Sequence, residues 1–218
     1  MILYRKHFYF AVLALVSGLY QPPLAVAGVY EDLRWAIEDN NTADVARLLA
    51  RGADPNTPDE SGNTLLMVAV GHKNADLVDL LVKAGAKLNL RNRRGETAIM
   101  LASYHGFKDV VEKLYISGAE INHPGWNPLT YAAFGGHTDI IQLLLEGGVP
   151  INSVSPNGTT ALMMAARGNH EDAVKVLLEK GADPNLRNEL DMTAMDMALK
   201  KNHYKVAELL KVRVSAAR

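Results

Sequence analysis

The stretch Asn157 to Asn185, NGTTALMMAARGNHEDAVKVLLEKGADPN, decides the fold. It reads as two short helices back to back. Thr160 stands before an apolar run, where its hydroxyl is placed to accept from orphan backbone N–H groups and open a helix. Ala165 and Ala166 are small enough for another helix to approach closely. Gly168-Asn169-His170 supplies turn formers. Ala173, Val174, Leu177 and Leu178 then recur at the i, i+3, i+4 spacing of one helical face. Gly181 follows, where a left-handed residue ends a helix at little cost. Asn157-Gly158 ahead of the unit is a strong tight-turn signal. Helices of about eight to ten residues are marginal alone, so such a unit needs neighbours.

The neighbours are in the sequence. The closing pattern GADPN at Gly181 has earlier counterparts GADPN at Gly52, GAKLN at Gly85, GAEIN at Gly118 and GVPIN at Gly148, with spacings of 33, 33, 30 and 33 residues. The opening pattern TALMMAA at Thr160 is matched by TLLMVAV at Thr64, TAIMLAS at Thr97, NPLTYAA at Asn127 and TAMDMAL at Thr193. Between them run LVDLLVKAG, VVEKLYISG, IIQLLLEGG, AVKVLLEKG and VAELLK. A fixed period of this length marks a stacked solenoid, in which each unit buries its apolar face against the next.

These motifs resemble the ankyrin-repeat family, whose pattern G-x-T-P-L-H-x-A-A, then G-H, I/V-V-x-x-L-L and G-A-x-x-N, matches most of residues 61–210. The resemblance implies an all-α solenoid of helix-turn-helix units with short β-hairpin finger loops. Six repeats are expected, four of them internal: an N-terminal capping repeat at 28–60, repeats at 61–93, 94–123, 124–156 and 157–189, and a C-terminal capping repeat at 190–218. The family's histidine after T-P-L is Met67, Met100, Thr130, Met163 or Asp196 here. Its hydrogen bonds between neighbouring repeats are therefore expected to be replaced by packing. One linker is three residues short, running from Asn122 to Asn127 where another runs from Asn89 to Thr97. The repeat at 124–156 should thus carry a truncated finger, with Pro124-Gly125 as its turn.

Residues 1–27 read as an export signal. Arg5 and Lys6 form a short basic region, Phe8 to Tyr20 is an uncharged apolar run, and Ala25-Val26-Ala27 supplies small residues for cleavage between Ala27 and Gly28. The apolar run of 13 residues is short for a membrane span, which needs roughly 20. Membrane contact is expected only in transit. The destination is the periplasm in a Gram-negative cell and otherwise the exterior.

Composition narrows the function. The chain has 218 residues, 48% of them hydrophobic and 22% charged, as in an ordinary folded protein. Without Arg5 and Lys6, 21 basic residues face 24 acidic ones, a net charge of −3 and no footprint for nucleic acid. There is no cysteine, hence no disulfide, thiolate metal site or cysteine nucleophile. No G-x-x-x-x-G-K, G-x-S-x-G or H-E-x-x-H motif is present, and the chain is expected to be no enzyme and to need no cofactor. His137, His170 and His203 recur with the repeat and read as turn residues, not metal ligands. The seven methionines after Met1 fall in or just before first helices. They read as core filling, with copper(I) handling by thioethers and histidines as a minor alternative.

The family resemblance implies a partner on the concave face and fingers, and a capped stack that is itself monomeric. The positions after each Ala pair are Gly71/His72, Tyr104/His105, Phe134/Gly135, Arg167/Gly168 and Lys200/Lys201. The residues just before each helix-opening position are Asn63, Glu96, Trp126, Thr159 and Met192, and the fingers also carry Arg93 and Arg94. Tyr104, Trp126 and Phe134 should meet in mid-stack with Arg167 beside them, with His72 and His105 to one side and Lys200 and Lys201 to the other. Exposed aromatics with arginine make the composition of an interaction hot spot. Tyr131 reads as packing, and Trp126 fits packing and partner contact equally. The function expected is a non-catalytic scaffold for another protein, with an inhibitor or immunity protein that occludes a toxin or enzyme as the alternative.

Overall fold

The computed structural model describes residues 24–123 and 125–216. Twelve helices lie among them: α1 (Leu24–Glu38), α2 (Thr42–Ala50), α3 (Leu65–Gly71), α4 (Ala75–Lys83), α5 (Ala98–His105), α6 (Lys108–Ile116), α7 (Pro128–Gly135), α8 (Thr138–Glu146), α9 (Ala161–Arg167), α10 (Glu171–Glu179), α11 (Ala194–Lys200) and α12 (Tyr204–Ala216). Each odd-numbered helix pairs with its successor. The odd helices form one row, α1 against α3, α5, α7, α9 and α11 in turn, and the even helices form the other. Residues 1–23 of the expected leader and Pro124 of the expected tight turn lie outside the described residues. Helix α1 runs through the expected cleavage point. Among the described residues, no helix is long and apolar enough to cross a membrane.

Local chemistry sets each boundary. The side chains of Thr64, Thr97, Asn127, Thr160 and Thr193 accept from the backbone N–H three residues on, as the sequence leads one to expect. Each such cap is worth about 1 kcal/mol. The turn between paired helices needs one left-handed residue, supplied by Asn40, Lys73, Gly106, Gly136, Asn169 and Asn202. The turns after α2, α4, α6, α8 and α10 are left-handed too, and there only glycine occurs, at Gly52, Gly85, Gly118, Gly148 and Gly181. The odd helices of the internal repeats are slightly shorter than expected, with seven or eight residues.

The core is one continuous band between the two rows, from Leu33 and Ile37 to Val206 and Leu210. The positions of the missing family histidine divide into two kinds. Met67, Met100 and Met163 are buried, so packing replaces it there, although the Met163 sulfur also accepts from the Thr160 N–H at 3.4 Å. Thr130 and Asp196 do not follow the packing expectation. Both side chains bond back to the residue that opens their own helix and complete capping boxes, because a short polar side chain at this position reaches the orphan N–H. Hydrogen bonds between repeats come from other residues. The Asn56, Asn89 and Asn152 side chains accept from the backbone N–H of Lys87, Glu120 and Asp183 in the next repeat. The equivalent position for Asn122 is Pro150, which has no N–H to donate.

The fingers are tight turns rather than extended hairpins. Among the described residues one antiparallel bridge is present, Val154 to Thr160. Side chains take the N–H groups that a longer ladder would pair. Asp59 accepts from Ser61 and Asn63, Asn92 from Arg94 and Glu96, Ser155 from Thr159, and Asn188 from Leu190 and Met192.

Candidate functional site

The inner row ends in a line of exposed side chains, and at mid-stack these become aromatic. Tyr104, the penultimate residue of α5, is 40% exposed. Phe134 holds the same place in α7 and is half-buried, packed against the core with its ring offset on Tyr104, 5.8 Å between centroids. The Arg167 guanidinium at the end of α9 lies over Phe134, 5.8 Å from its centroid. Three successive repeats therefore build one stack of ring, ring and cation. Such contacts contribute about 0.5–1.5 kcal/mol for the ring pair and about 0.5–1 kcal/mol for an exposed cation. His105 meets Tyr104 edge-on at 5.0 Å and lies parallel to Phe107 at 5.4 Å.

The backbone under this stack is pinned from behind. The His137 ring bonds the Tyr104 carbonyl at 2.9 Å, His170 bonds the Phe134 carbonyl at 2.8 Å, and His203 bonds the Ala166 carbonyl at 3.2 Å. A carbonyl only accepts, so each of these ring nitrogens carries the proton. The same rings explain two residues of the concave row that look freely variable in sequence. A Cβ on Gly135 would stand 2.5 Å from the Tyr104 carbonyl oxygen and 2.6 Å from the His137 ring, and one on Gly168 would stand 2.4 Å from His170.

Two hollows flank the aromatic stack. One, of about 460 Å³, is lined by Leu101, Met164, Tyr104, Phe134, Trp126 and Tyr131, together with Thr130, Arg94, Glu96 and His105. The other, of about 440 Å³, shares Tyr104, His105 and Phe134 and continues along Gly135, Gly168 and His170. The first is in the size range of pockets that seat ligands or anchor side chains, roughly 300–1,000 Å³.

The truncated finger is tied to both neighbours. Asn127, fully buried, caps α7 with its carbonyl oxygen, and its amide donates to the Ser153 hydroxyl at the start of the following finger at 2.8 Å. Tyr131 donates to Glu96 of the preceding finger at 3.4 Å. Burial, with the Glu96 carboxylate beside it, pushes the Tyr131 phenol up to about 12, so it keeps its proton. Glu96 also accepts from Asn92 and Arg94, each at 2.8 Å. Trp126 is half-buried, edge-on to Tyr131 at 6.3 Å. It packs on one side and faces the pocket on the other.

The structure brings together Tyr104, His105, Trp126, Phe134, Arg94 and Glu96 in one pocket, with Arg167 on its stack. It leaves His72, at the end of α3, and Lys200 and Lys201, at the end of α11, exposed and away from it. Arg93 sits on a finger, its N–H donating to the Ser61 carbonyl. Leu101, Thr130, Tyr131 and Met164 also line the pocket, and sequence reasoning missed them as lining. Only Tyr131 carries a signal, as an aromatic one helical turn from the Asn127 cap. Among the described residues, no group of three His, Asp or Glu side chains is placed to hold a metal ion.

A family model of ankyrin repeats in three copies matches residues 33–124 and 113–188. Among solved structures, the chain is 31% identical to a chain in the complex of a predatory endopeptidase from Bdellovibrio bacteriovorus with an immunity protein. That similarity covers 83% of this chain and 97% of the other, with a TM-score of 0.73. It is 24% identical to the human ASB11 ankyrin repeat domain over 83% of this chain and 82% of that one, with a TM-score of 0.75, a likeness of fold. No curated protein matches the chain.

Proposed function

The chain belongs to the ankyrin-repeat family, and we propose that it is a non-catalytic binding protein that is exported and grips another protein with its concave face. Ankyrin repeats act through protein–protein contact, and the finer reading concerns where and to what. The observation that carries it is the stack of Tyr104, Phe134 and Arg167 between two hollows on the inner row. Aromatic and arginine side chains held rigidly beside a pocket are the usual anchors of an interface. The leader read in residues 1–27 supports export, which puts the partner in the periplasm or outside the cell. Copper handling by the cluster Met192, Met195 and Met197 with Met163 and Met164 has less behind it, since Met163 and Met164 are buried and Met195 and Met197 pack partly buried against the core.

The test is capture from a periplasmic or extracellular fraction with the purified protein, beside a Tyr104→Ala/Arg167→Gln variant. One protein enriched by the wild type and lost with the variant supports the concave face. Equal recovery by both refutes it.

A second, narrower reading is that the partner is a peptidase which this chain occludes. What favours it is the similarity, across 97% of the other chain, to a component of an endopeptidase–immunity protein complex. An inhibitor suppresses the captured partner's peptidase activity at one equivalent, whereas an accessory scaffold leaves it unchanged or raises it.

A further inference from the structure

Two features coincide on the concave face, and together they specify what the partner offers; this rests on the binding reading above. The first is the truncated finger. Residues 90–96 and 153–159 make full fingers on either side, while 123–126 bridge the same gap with three residues fewer. The second is the pocket of about 460 Å³, which lies at that gap. Trp126, the last residue of the short finger, lines it, as do Arg94 and Glu96 of the preceding finger.

Its interior is apolar, with Leu101, Met164 and the rings of Tyr104 and Phe134. Glu96 is the one carboxylate of the lining, and it already accepts from Arg94, Asn92 and Tyr131. Arg167 is different. It is exposed, lies over the Phe134 ring, and among the described residues has no carboxylate within 4 Å. The pocket thus has a largely apolar lining whose own acid is satisfied, and beside it Arg167, which does not line the pocket but lies over the Phe134 ring that does, has no acid. We propose that the gap left by the short finger seats one large apolar side chain from a loop of the partner, Phe, Tyr or Leu, and that Arg167 pairs with a carboxylate next to that anchor in the partner's sequence. A loop with a basic residue beside the anchor is disfavoured by the same charge.

The test titrates the ¹⁵N-labelled protein with the synthetic peptide acetyl-Gly-Ser-Phe-Asp-Gly-Ser-amide and its Phe→Ala and Asp→Asn relatives. The parent peptide is expected to shift the Trp126 indole and the Tyr104 and Phe134 amides with a dissociation constant of about 1 mM, as suits a single anchor. The Asn peptide should bind about three- to fivefold more weakly, the loss of one exposed ion pair. The Ala peptide should give no shift, and Arg167→Gln should bind the Asp and Asn peptides equally. Equal binding of those two by the wild type overturns the proposal, as do shifts confined to other parts of the stack or no shift at about 10 mM. Each of these leaves the concave-face reading in place. Capture of the native partner by the Tyr104→Ala/Arg167→Gln variant as by the wild type overturns that reading, and the pocket's occupant with it.

Discussion

Replacing Asn127 tests how the shortened repeat is held. Its side chain is fully buried and does two jobs: the carbonyl oxygen accepts from the Thr130 N–H at 3.0 Å, and the amide donates to Ser153 at 2.8 Å. Asn127→Ala removes both. Loss of the cap costs about 1 kcal/mol, loss of the buried hydrogen bond about 1 kcal/mol more, and the orphaned Thr130 N–H adds to these, so roughly 2–3 kcal/mol is expected in total. Asn127→Thr restores the cap found at Thr64, Thr97, Thr160 and Thr193 but has no second arm to reach Ser153. It should cost about 1 kcal/mol. Urea unfolding followed by circular dichroism measures both, and adding Ser153→Ala closes a double-mutant cycle. The prediction is that Asn127→Thr/Ser153→Ala is less destabilised than the sum of its parts by about 1 kcal/mol, the coupling expected of two groups in contact. Additive costs, or an Asn127→Thr variant as unstable as Asn127→Ala, would refute the view that this residue ties the short finger to the next finger.

Other outcomes follow from single contacts. Gly135→Ala should destabilise by about 1–3 kcal/mol, since its Cβ would meet the Tyr104 carbonyl at 2.5 Å; a thermal melt unchanged from wild type contradicts the packing described. The Asp196 carboxyl is held below its usual range by the Thr193 N–H and hydroxyl. A lowered carboxyl stabilises above its unfolded pKa of about 3.9 and loses that contribution as pH falls through its folded value. Wild type should therefore lose more stability between neutral pH and about pH 3 than Asp196→Asn, whose carbonyl still accepts; parallel urea midpoints would exclude this. Mass spectrometry of the protein recovered from its host should find a chain beginning at Gly28, and one beginning at Met1 would remove the leader.

Most of the scaffold was legible because it repeats. The five Gly turns and the five helix-opening residues are set by backbone needs common to every unit, so each copy corroborates the others. The meeting of Tyr104, Trp126, Phe134 and Arg167 followed from register alone. What escaped was side-chain hydrogen bonding. Asp59, Asn92, Ser155 and Asn188 look like ordinary turn formers, although two pairs of them stand 33 residues apart and all accept within their fingers. Thr130 and Asp196 were expected to pack because the family residue they replace bonds outward, and a bond back to the helix start is not visible in a motif. Phe134, expected to stand clear of the core, is half-buried because its ring packs against the core as well as on Tyr104.

The framework and the candidate site share atoms, which explains why a stack without disulfides offers a rigid binding surface. The Tyr104 and Phe134 carbonyls are the ones that His137 and His170 hold from the next repeat. Every repeat that docks therefore fixes the last turn of the inner helix before it, and the aromatic side chain on that turn with it. An interface anchor held in place before binding loses less conformational entropy when the partner arrives. Arg167 gains from the same arrangement. The carbonyl of its preceding residue, Ala166, is held by His203, and its guanidinium rests on a ring that is already immobile. The exposed cation proposed to select a partner by charge is thus carried by a turn that the next repeat holds.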